Sequence, residues 1–319
     1  MGKGEFFSSY RGLRQGDPLS PLLFNLVGDA LSAMLHLAST RGEIRGLVPQ
    51  LIEGGLTHLQ YADDTVIFLN FDTETISNMK FILFCFEAMS GMKVNYNKSD
   101  VFGFGMDPEL QEEVAKIFGC RVGQLPIIYL GLPVSDIKIS KAQLSYVADK
   151  ANRRLATWKC DSLSSGGKAT LINSCLSSLP MYTMGVYQLY EGNYQALDNI
   201  RSRFFWQGSN KKRKYHMVKW EALARPKEWG RGGLGFLDVR VMNICLLAKW
   251  LERLETEEDS LCVGILRKKY LGNRSISQIN RMSGHNSREV YCRLDTGFSG
   301  VGQLGSEVGL KQVFGMTLG

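Results

Sequence analysis

Two adjacent aspartates interrupt a run of residues that otherwise has the composition of a buried strand. In HLQYADDTVIFLNF, residues 58–71, the apolar, β-branched and aromatic side chains favour a strand, whereas Asp63 and Asp64 are poor strand residues that repel each other. Aspartate is common in turns because its short side chain bonds to nearby backbone groups. The pattern therefore predicts a β-hairpin whose strands, near 56–61 and 65–70, are joined through the aspartate pair.

Carboxylates at the tip of a hairpin suit a divalent cation. Proteins hold Mg²⁺ with a few carboxylates, and water and phosphate oxygens complete its coordination. Nucleotidyl transfer uses such ions to activate a hydroxyl and to stabilise the leaving oxygen. An isolated Asp-Asp pair is more simply a polar turn, so the interpretation of Asp63 and Asp64 depends on the rest of the sequence.

Helix and strand patterns alternate around the predicted hairpin. Residues 18–39, PLSPLLFNLVGDALSAMLHLAS, have apolar residues at helical spacing, and Ser20 is placed to cap the helix N-terminus. A second helix is predicted over 74–90, with Gly91 at its end. Residues 92–105, MKVNYNKSDVFGFG, are predicted to form a strand. This part of the chain therefore mixes both kinds of element.

The remaining residues divide into three segments of different character. Residues 136–208 are dominated by helical patterns, and 209–280 combine a charged loop, a glycine-rich turn and a further helix. Residues 281–319 lose any clear periodicity, and we expect them to be disordered. An upstream frameshift in the gene would account for this loss of pattern.

Composition limits the partners and the compartment. The net charge of +7 and the pI near 9.0 favour a polyanionic partner such as nucleic acid. The seven cysteines form no C-x-x-C pair, which argues against a zinc site, and their odd number argues against a secreted disulfide framework. We find no signal peptide and no uninterrupted apolar run of about 20 residues. We therefore expect an intracellular protein, nuclear or cytoplasmic and not secreted, with no membrane and no protein partner.

Four motifs in a fixed order give a more specific indication. RGLRQGDPLSPLLF, YADD, FEAMSGMKVNYNKS and YLGLPVS follow one another within the first 135 residues. In this order they resemble the reverse transcriptase of plant non-LTR (LINE-type) retrotransposons. The later stretches LSSGGKATLINSCLSSLPMY, FFWQG and PKEWGRGGLGF are similar to the same proteins, so the resemblance extends over roughly residues 5–275.

The resemblance implies an α+β fold and a set of domains. Residues 1–135 would be a partial reverse transcriptase palm, comprising a helix and the catalytic hairpin. Residues 136–208 would be an all-α thumb, 209–280 a helical connector, and 281–319 the tail. The implied partners are an RNA template, a DNA primer and deoxynucleotides, and the implied cofactor is Mg²⁺, two ions in the complete family.

The resemblance also assigns roles to individual residues. Asp63 and Asp64 would be catalytic metal ligands, and Lys98 would neutralise or protonate the departing pyrophosphate. Residues near the nucleotide, template or primer end would be Arg14, Gln15, Gly16, Tyr61 and Ala62. The hairpin that grips the primer strand would contain Tyr129, Leu130 and Gly131. For Gly16, Lys98 and Gly131 a purely local role, as a helix entrance, a solvated lysine or a turn, stays open.

Basic residues in the helical segments have the chemistry to meet a phosphate backbone. Candidates for such contacts are Arg153, Arg154, Lys159 and Lys168. An ordinary basic helix face would look the same in the sequence. The basic run 211–214, KKRK, is either a solvated loop, a nucleic-acid contact or a nuclear address.

The resemblance implies a third metal-binding carboxylate on a strand upstream of RGLRQGDP. No aspartate precedes Asp17 in this sequence, so we expect a fragment truncated before that motif and inactive by itself. Without that central strand the palm sheet would have exposed edges. Two alternatives remain: a non-catalytic nucleic-acid-binding remnant, and a pseudogene product without selected activity. An intron-maturase-like splicing factor shares the palm and thumb features, but GGKATLI and PKEWGRGGLGF favour the retrotransposon line.

Overall fold

The computed structural model contains two compact units. The first comprises residues 1–124 together with 305–319, and the second comprises 125–304. The structure describes residues 16–156, 163–207, 218–225, 227, 233–256 and 260–272, and the backbone of 313–318. These residues combine helices and strands, which agrees with the expected α+β class.

The first unit contains a five-stranded sheet and three helices. Its helices are α1 (Leu19–Thr40), α2 (Thr73–Ser90) and α3 (Pro108–Phe118). Its strands are β1 (His58–Tyr61), β2 (Asp64–Asn70), β3 (Asp100–Phe104), β4 (Arg121–Val122) and β7 (Val313–Leu318). The strand order is β1-β2-β7-β3-β4. Residues of α1, α2, α3, β2 and β3 share one hydrophobic core.

Helix α1 begins at Leu19, two residues earlier than the predicted cap at Ser20 implies. Its N-cap position is Pro18, so the prediction that Ser20 caps the helix is wrong. The carboxylate of Asp17 instead accepts a hydrogen bond of 2.9 Å from the backbone N–H of Leu19. This contact satisfies one of the amides that a helix N-terminus leaves unpaired.

The apolar character of α1 reflects its packing against the core in its C-terminal half. By length and composition, α1 is the one helix among the described residues that could cross a membrane. Leu31 and Leu35, however, are buried in the core of the first unit. The N-terminal half exposes Leu22 and Leu26.

Local signals determine helix α2 and the start of β3. The prediction of a helix over 74–90 is confirmed, because the Asp72 side chain caps its first turn and Gly91 ends it in the left-handed region at φ 72°. The prediction of a strand over 92–105 is wrong for its first half. The backbone N–H groups of Lys98 and Ser99 bond to the carbonyl of Asn95, so the chain turns there before β3 begins.

Strand β7 lies in the centre of the sheet, between β2 and β3. It pairs antiparallel with both, Ile67 facing Met316 on one side and Phe102 facing Gly315 on the other. We had expected disorder over 281–319, but for residues 313–318 the structure has a strand. The pairing spans well over 200 residues of sequence, which local periodicity does not detect.

A chain of polar contacts joins α1 to β1. The Oγ of Ser32 donates to Gln60 Oε1 at 3.2 Å and lies 3.0 Å from His58 Nε2. Thr57 Oγ1 lies 3.0 Å from His58 Nδ1. A neutral His58 ring satisfies both contacts, because one of its ring nitrogens donates and the other accepts. Burial lowers the pKa of His58 below its usual 6.5 and so favours this neutral form.

The second unit consists of a short hairpin and a set of helices. The hairpin strands are β5 (Ile127–Tyr129) and β6 (Leu132–Val134). The helices are α4 (Tyr146–Ala156), α5 (Ser165–Leu171), α6 (Met181–Met184), α7 (Glu191–Gln207), α8 (Trp220–Leu223), α9 (Val239–Glu255) and α10 (Leu261–Leu266). Segments Ile172–Leu176 and Arg267–Leu271 are π-helical.

Three tyrosines bind the hairpin segment to the helices of the second unit. The hydroxyls of Tyr182, Tyr187 and Tyr190 donate to the carbonyls of Leu130, Pro133 and Ile139, at distances of 2.6–2.9 Å. These contacts explain why the division between units falls at residue 125, whereas the sequence suggested 135. The sequence suggested a separate thumb (136–208) and connector (209–280), and both ranges lie within this one unit.

Asn243 on α9 organises the interior of the second unit. Its Oδ1 accepts from the Leu189 backbone N–H at 2.9 Å and from the Tyr194 hydroxyl at 2.6 Å. Its Nδ2 donates to the carbonyls of Met184 at 2.7 Å and Tyr187 at 3.0 Å. The side chain is fully buried, and all four bonds stay within the unit. A single amide therefore joins α9 to α6, α7 and the segment between them.

We predict that Asn243→Ala destabilises the second unit by about 3 kcal/mol or more, because several buried polar groups lose their partner at once. All five tryptophans of the chain lie within 125–304, so tryptophan fluorescence during urea unfolding reports on this unit. The matched control is Asn152→Ala, since Asn152 is exposed on α4. Equal midpoints for the two variants would show that the Asn243 network has no structural weight.

We predict that the first unit loses stability as the pH falls through about 6.5, because unfolding releases His58 to bind a proton at its ordinary pKa. The stability from the neutral ring is present above that pH and is lost towards the lower folded pKa. In urea unfolding followed by circular dichroism, His58→Gln should flatten this dependence. His36→Gln is the control, since His36 is exposed on α1, and an equal change in both variants would contradict the assignment.

Candidate active site

The predicted hairpin is present, and it exposes both carboxylates at its tip. Strand β1 pairs with β2 so that Tyr61 faces Asp64, which leaves Ala62 and Asp63 as a two-residue turn. Asp63 and Asp64 are both exposed. The five residues after them, 65–69, are all buried. The core therefore holds the strand while the two acidic side chains stand in solvent.

The turn is tight enough to place an alanine in an unusual conformation. Ala62 has φ 53°, in the left-handed region that an L-residue enters at a cost of roughly 1 kcal/mol. The paired strands on either side determine this geometry. The directions of Asp63 and Asp64 thus follow from strand pairing rather than from the intrinsic preference of the turn residues.

The topology brings Lys98 to the same end of the sheet as the two aspartates. Thr65 on β2 is level with Leu318, and Asp100 on β3 is level with Thr317. Both strands therefore begin at the same end of the sheet. Strand β7 lies between them, so their first residues are about 10 Å apart at the usual strand spacing. Lys98 lies two residues before β3 and is exposed.

The remaining predicted residues of the first unit have mixed outcomes. Tyr61, next to the turn, is 64% exposed and so available to a ligand. Gly16 has φ 91°, a conformation that favours glycine, and no neighbour would clash with a Cβ there. Arg14 and Gln15 lie outside the described residues.

The acidic side chains at the hairpin suffice for a partial metal site. Asp63 and Asp64 offer the oxygen ligands that Mg²⁺ prefers, in a place open to water and phosphate. Among the residues that the structure describes, no group of three or more His, Cys, Asp or Glu side chains is arranged to hold a metal ion. The residues fit a cation that takes its other ligands from elsewhere.

The predicted primer-grip residues form a second tight turn, within the second unit. Tyr129 pairs with Leu132, and Leu130 and Gly131 form the turn with φ 50° and 80°. Two consecutive positive φ values are typical of a type I′ hairpin turn. The Tyr182 hydroxyl bonds to the Leu130 carbonyl at 2.9 Å and so fixes this turn against the helices.

A basic groove of about 690 Å³ lies beside this turn in the second unit. Its lining comprises Gly131, Tyr146, Lys150, Arg153, Arg154, Ser174, Cys175, Ser178 and Leu179. The structure thus brings together residues from two separately predicted groups, Gly131 and the pair Arg153 and Arg154. Lys168 is half-buried on α5 and does not line the groove, and Lys159 lies outside the described residues.

Sequence reasoning missed three polar residues of the groove. Lys150 precedes Arg153 and Arg154 by three and four positions on α4, which is the spacing of one helix face. That periodicity was available in the sequence. Ser174 and Ser178 had no such signal, because only the fold brings their helical segment opposite α4.

Parts of the chain match known proteins. Residues 1–134 match the family model for reverse transcriptase (RNA-dependent DNA polymerase). A putative ribonuclease H protein of Arabidopsis thaliana is 33% identical over 139 residues, which cover 44% of this chain and 22% of that protein. An uncharacterized mitochondrial protein of the same plant is 33% identical over 101 residues, covering 32% of this chain and 65% of the relative.

A more distant relative carries a retrotransposon name. The retrovirus-related Pol polyprotein from a type-2 retrotransposable element of Drosophila melanogaster is 33% identical over 126 residues, 39% of this chain and 11% of that polyprotein. The chain therefore spans less than two thirds of each of these relatives. These matches make the chain similar to retrotransposon-related proteins, and residues 1–134, which include the hairpin with Asp63 and Asp64, similar to reverse transcriptases.

Proposed function

We propose that this chain is the hairpin-bearing part of an RNA-directed DNA polymerase. The observation that carries the proposal is the exposed Asp63–Asp64 pair at the tip of a hairpin whose second strand is buried. This pair lies within the segment that matches the reverse transcriptase family. The substrates would be a primed RNA template and deoxynucleotides.

Each residue of the first unit would act near the end of the primer. Asp63 and Asp64 would hold Mg²⁺, because reverse transcriptases use divalent metal ions. When bound, such ions activate the attacking 3′ hydroxyl and stabilise the leaving oxygen. Lys98, at the same end of the sheet, would neutralise or protonate the departing pyrophosphate. Tyr61 and Ala62 would contact the primer end and the incoming nucleotide, and Gly16, with Arg14 and Gln15, would shape the pocket for that nucleotide and the template.

The number of carboxylates limits what this chain does alone. A clamp for two ions needs a third carboxylate beside Asp63 and Asp64, and the described residues place none there. We propose that the chain alone does not extend primers.

The second unit would hold the nucleic acid. The turn at Tyr129, Leu130 and Gly131 would contact the primer strand, and the adjacent groove would receive a phosphate backbone. Lys150, Arg153 and Arg154 supply the positive charge, whereas the hydroxyls of Ser174 and Ser178 line the groove and already donate to backbone carbonyls. Lys159 and Lys168 would extend this contact outside the groove. With these substrates the protein would act inside the cell, in the nucleus or the cytoplasm.

The groove also supports a second candidate function, nucleic-acid binding without catalysis. It requires only the second unit, since all groove residues lie between 125 and 304. Such a protein would bind a primed template equally well with and without the Asp63 carboxylate. The two candidate functions are therefore separated by activity rather than by binding.

We predict no primer extension by this chain on a primed RNA template with Mg²⁺. A fusion that adds the upstream strand and fingers of a plant relative should extend the primer, because it restores the third carboxylate. The substitution Asp63→Asn should abolish that extension without weakening template binding. The matched control is Asp107→Asn, because Asp107 lies before α3, away from the hairpin.

Either of two outcomes would contradict the proposal. Extension by the chain alone, lost in Asp63→Asn, would show that two carboxylates suffice or that a third is present. A soluble fusion that binds the primed template but does not extend it would show that the hairpin is not catalytic. In that case the binding function alone would remain.

We predict that replacing both Lys150 and Arg153 with glutamine lowers the salt dependence of binding to an RNA–DNA duplex. The slope of log Kd against log salt concentration should fall by about 2, one for each lost phosphate contact. Fluorescence anisotropy over a series of KCl concentrations measures this slope. Lys249→Gln is the control, since Lys249 is exposed on α9 and outside the groove. An unchanged slope in the double variant would exclude the groove as the binding site.

A further inference from the structure

Strands β2 and β3 do not pair with each other. Between them runs β7, residues 313–318, antiparallel to both. Without β7 the sheet would separate into two pairs of strands, β1 with β2 and β3 with β4. The space between β2 and β3, which we call the central slot, therefore needs a strand for the sheet to be continuous.

The backbone of β2 shows which groups point into the central slot. The Phe68 N–H bonds to the Thr57 carbonyl and the Asn70 N–H to the Arg45 carbonyl, so both point away from β7. Successive residues of a strand point their backbone groups to opposite sides. The N–H groups of Thr65, Ile67 and Leu69 therefore point into the slot.

The same reasoning applies to β3. The Val101 carbonyl accepts a hydrogen bond of 2.9 Å from Gly123, on the β4 side. The backbone groups of Asp100, Phe102 and Phe104 consequently point into the slot. Ile67, Leu69 and Val101 are fully buried. Backbone groups in such an apolar place cost roughly 1–3 kcal/mol each when left without a partner.

We propose that the central slot is a strand-acceptor site and that its occupant is the chain's own C-terminal segment, residues 313–318. This segment would act as a complementing strand that the first unit requires for its stability. The proposal concerns the sheet alone, so it stands or falls separately from the polymerase function.

The sequence of the segment suits a central strand. VFGMTL contains no charged residue and no proline, and it includes the β-branched Val313 and Thr317. A charge would be costly in this place, and proline would remove a ladder hydrogen bond. The segment follows Gly272 at a distance of 40 residues, 273–312, and a chain of that length reaches up to about 130 Å. The reach of the chain therefore does not restrict docking into the slot.

Occupation of the slot bears directly on the acidic hairpin. Leu318, at the end of β7, is level with Thr65, the residue after Asp64. With β7 in the slot, β2 is paired on both sides from Thr65 onward. The C-terminal segment would thus hold the base of the hairpin that presents the two carboxylates.

Residue-resolved hydrogen exchange on the full chain tests the proposal with an internal control. In the wild-type chain, the amides of Thr65, Ile67 and Leu69 should exchange as slowly as those of Val66 and Phe68, which point towards β1. The amide of Phe102 should be protected as well. If the slot-facing amides exchange at least tenfold faster than Val66 and Phe68, the slot is empty and the proposal is overturned.

A pair of proline variants identifies the occupant. Gly315→Pro interrupts β7 where it faces Phe68 and Phe102, whereas Gln312→Pro places the same residue just before the strand. Gly315→Pro should speed exchange of the slot-facing amides at least tenfold, and Gln312→Pro should leave them protected. Loss of protection throughout 16–124 in Gly315→Pro alone would support the proposal too, since the unit would then depend on β7. Unchanged protection in Gly315→Pro would show that another segment fills the slot.

Discussion

Pairing along β2 determines where the acidic side chains of this protein lie. Because Tyr61 faces Asp64, the turn contains only two residues, and Asp63 has no place other than the tip. The next five residues are buried on both faces of the strand, as is typical of a central strand. A slip of one residue would exchange the two faces of the strand and move the carboxylates along it. Burial in the core thus fixes the register, and the register fixes the site.

The contact between α1 and β1 extends this constraint to the segment that contains Gly16, just before α1. A Cβ at Gly28 would meet the Gln60 side-chain nitrogen at 2.8 Å, so the missing side chain at this position leaves room for the Gln60 amide beside α1. Ser32 then engages both His58 and Gln60, alternate residues on one face of β1. The helix that follows Gly16 and the strand that leads to Asp63 are therefore joined by direct contacts. Such joining suits a site whose parts come from separate segments.

The second unit is organised in a comparable way, by polar groups with several partners each. Asn243 serves four backbone and side-chain groups, and Asp198 accepts from Arg201, Arg240 and Trp220. Hydrogen-bond networks of this kind stabilise one arrangement of helices over others. Helix α4 packs against α7, which carries Asp198, and presents Lys150, Arg153 and Arg154 to the groove.

The sequence predicted those features that depend on local chemistry. The hairpin follows from strand formers around Asp63 and Asp64, and the end of α2 from the glycine at 91. The strand expected over 92–105 failed because the Asn95 turn competes with the apolar alternation. The central position of β7 and the location of Ser174 and Ser178 at the groove depend on contacts between distant segments. The periodicity of a single sequence does not encode such contacts. The roles of Arg14, Gln15, Lys159 and the run 211–214 remain predictions from the sequence.

The tip of the hairpin, with Asp63 and Asp64, is the site that we propose for a divalent cation. Mn²⁺ substitutes for Mg²⁺ at such sites and broadens the NMR signals of nearby amides, so it locates the ion directly. We expect selective broadening for the amides from Tyr61 to Thr65 in the full chain, and its loss when Asp63 and Asp64 are both replaced by asparagine. Broadening that is confined to other parts of the chain, or that persists in the double variant, would contradict the account.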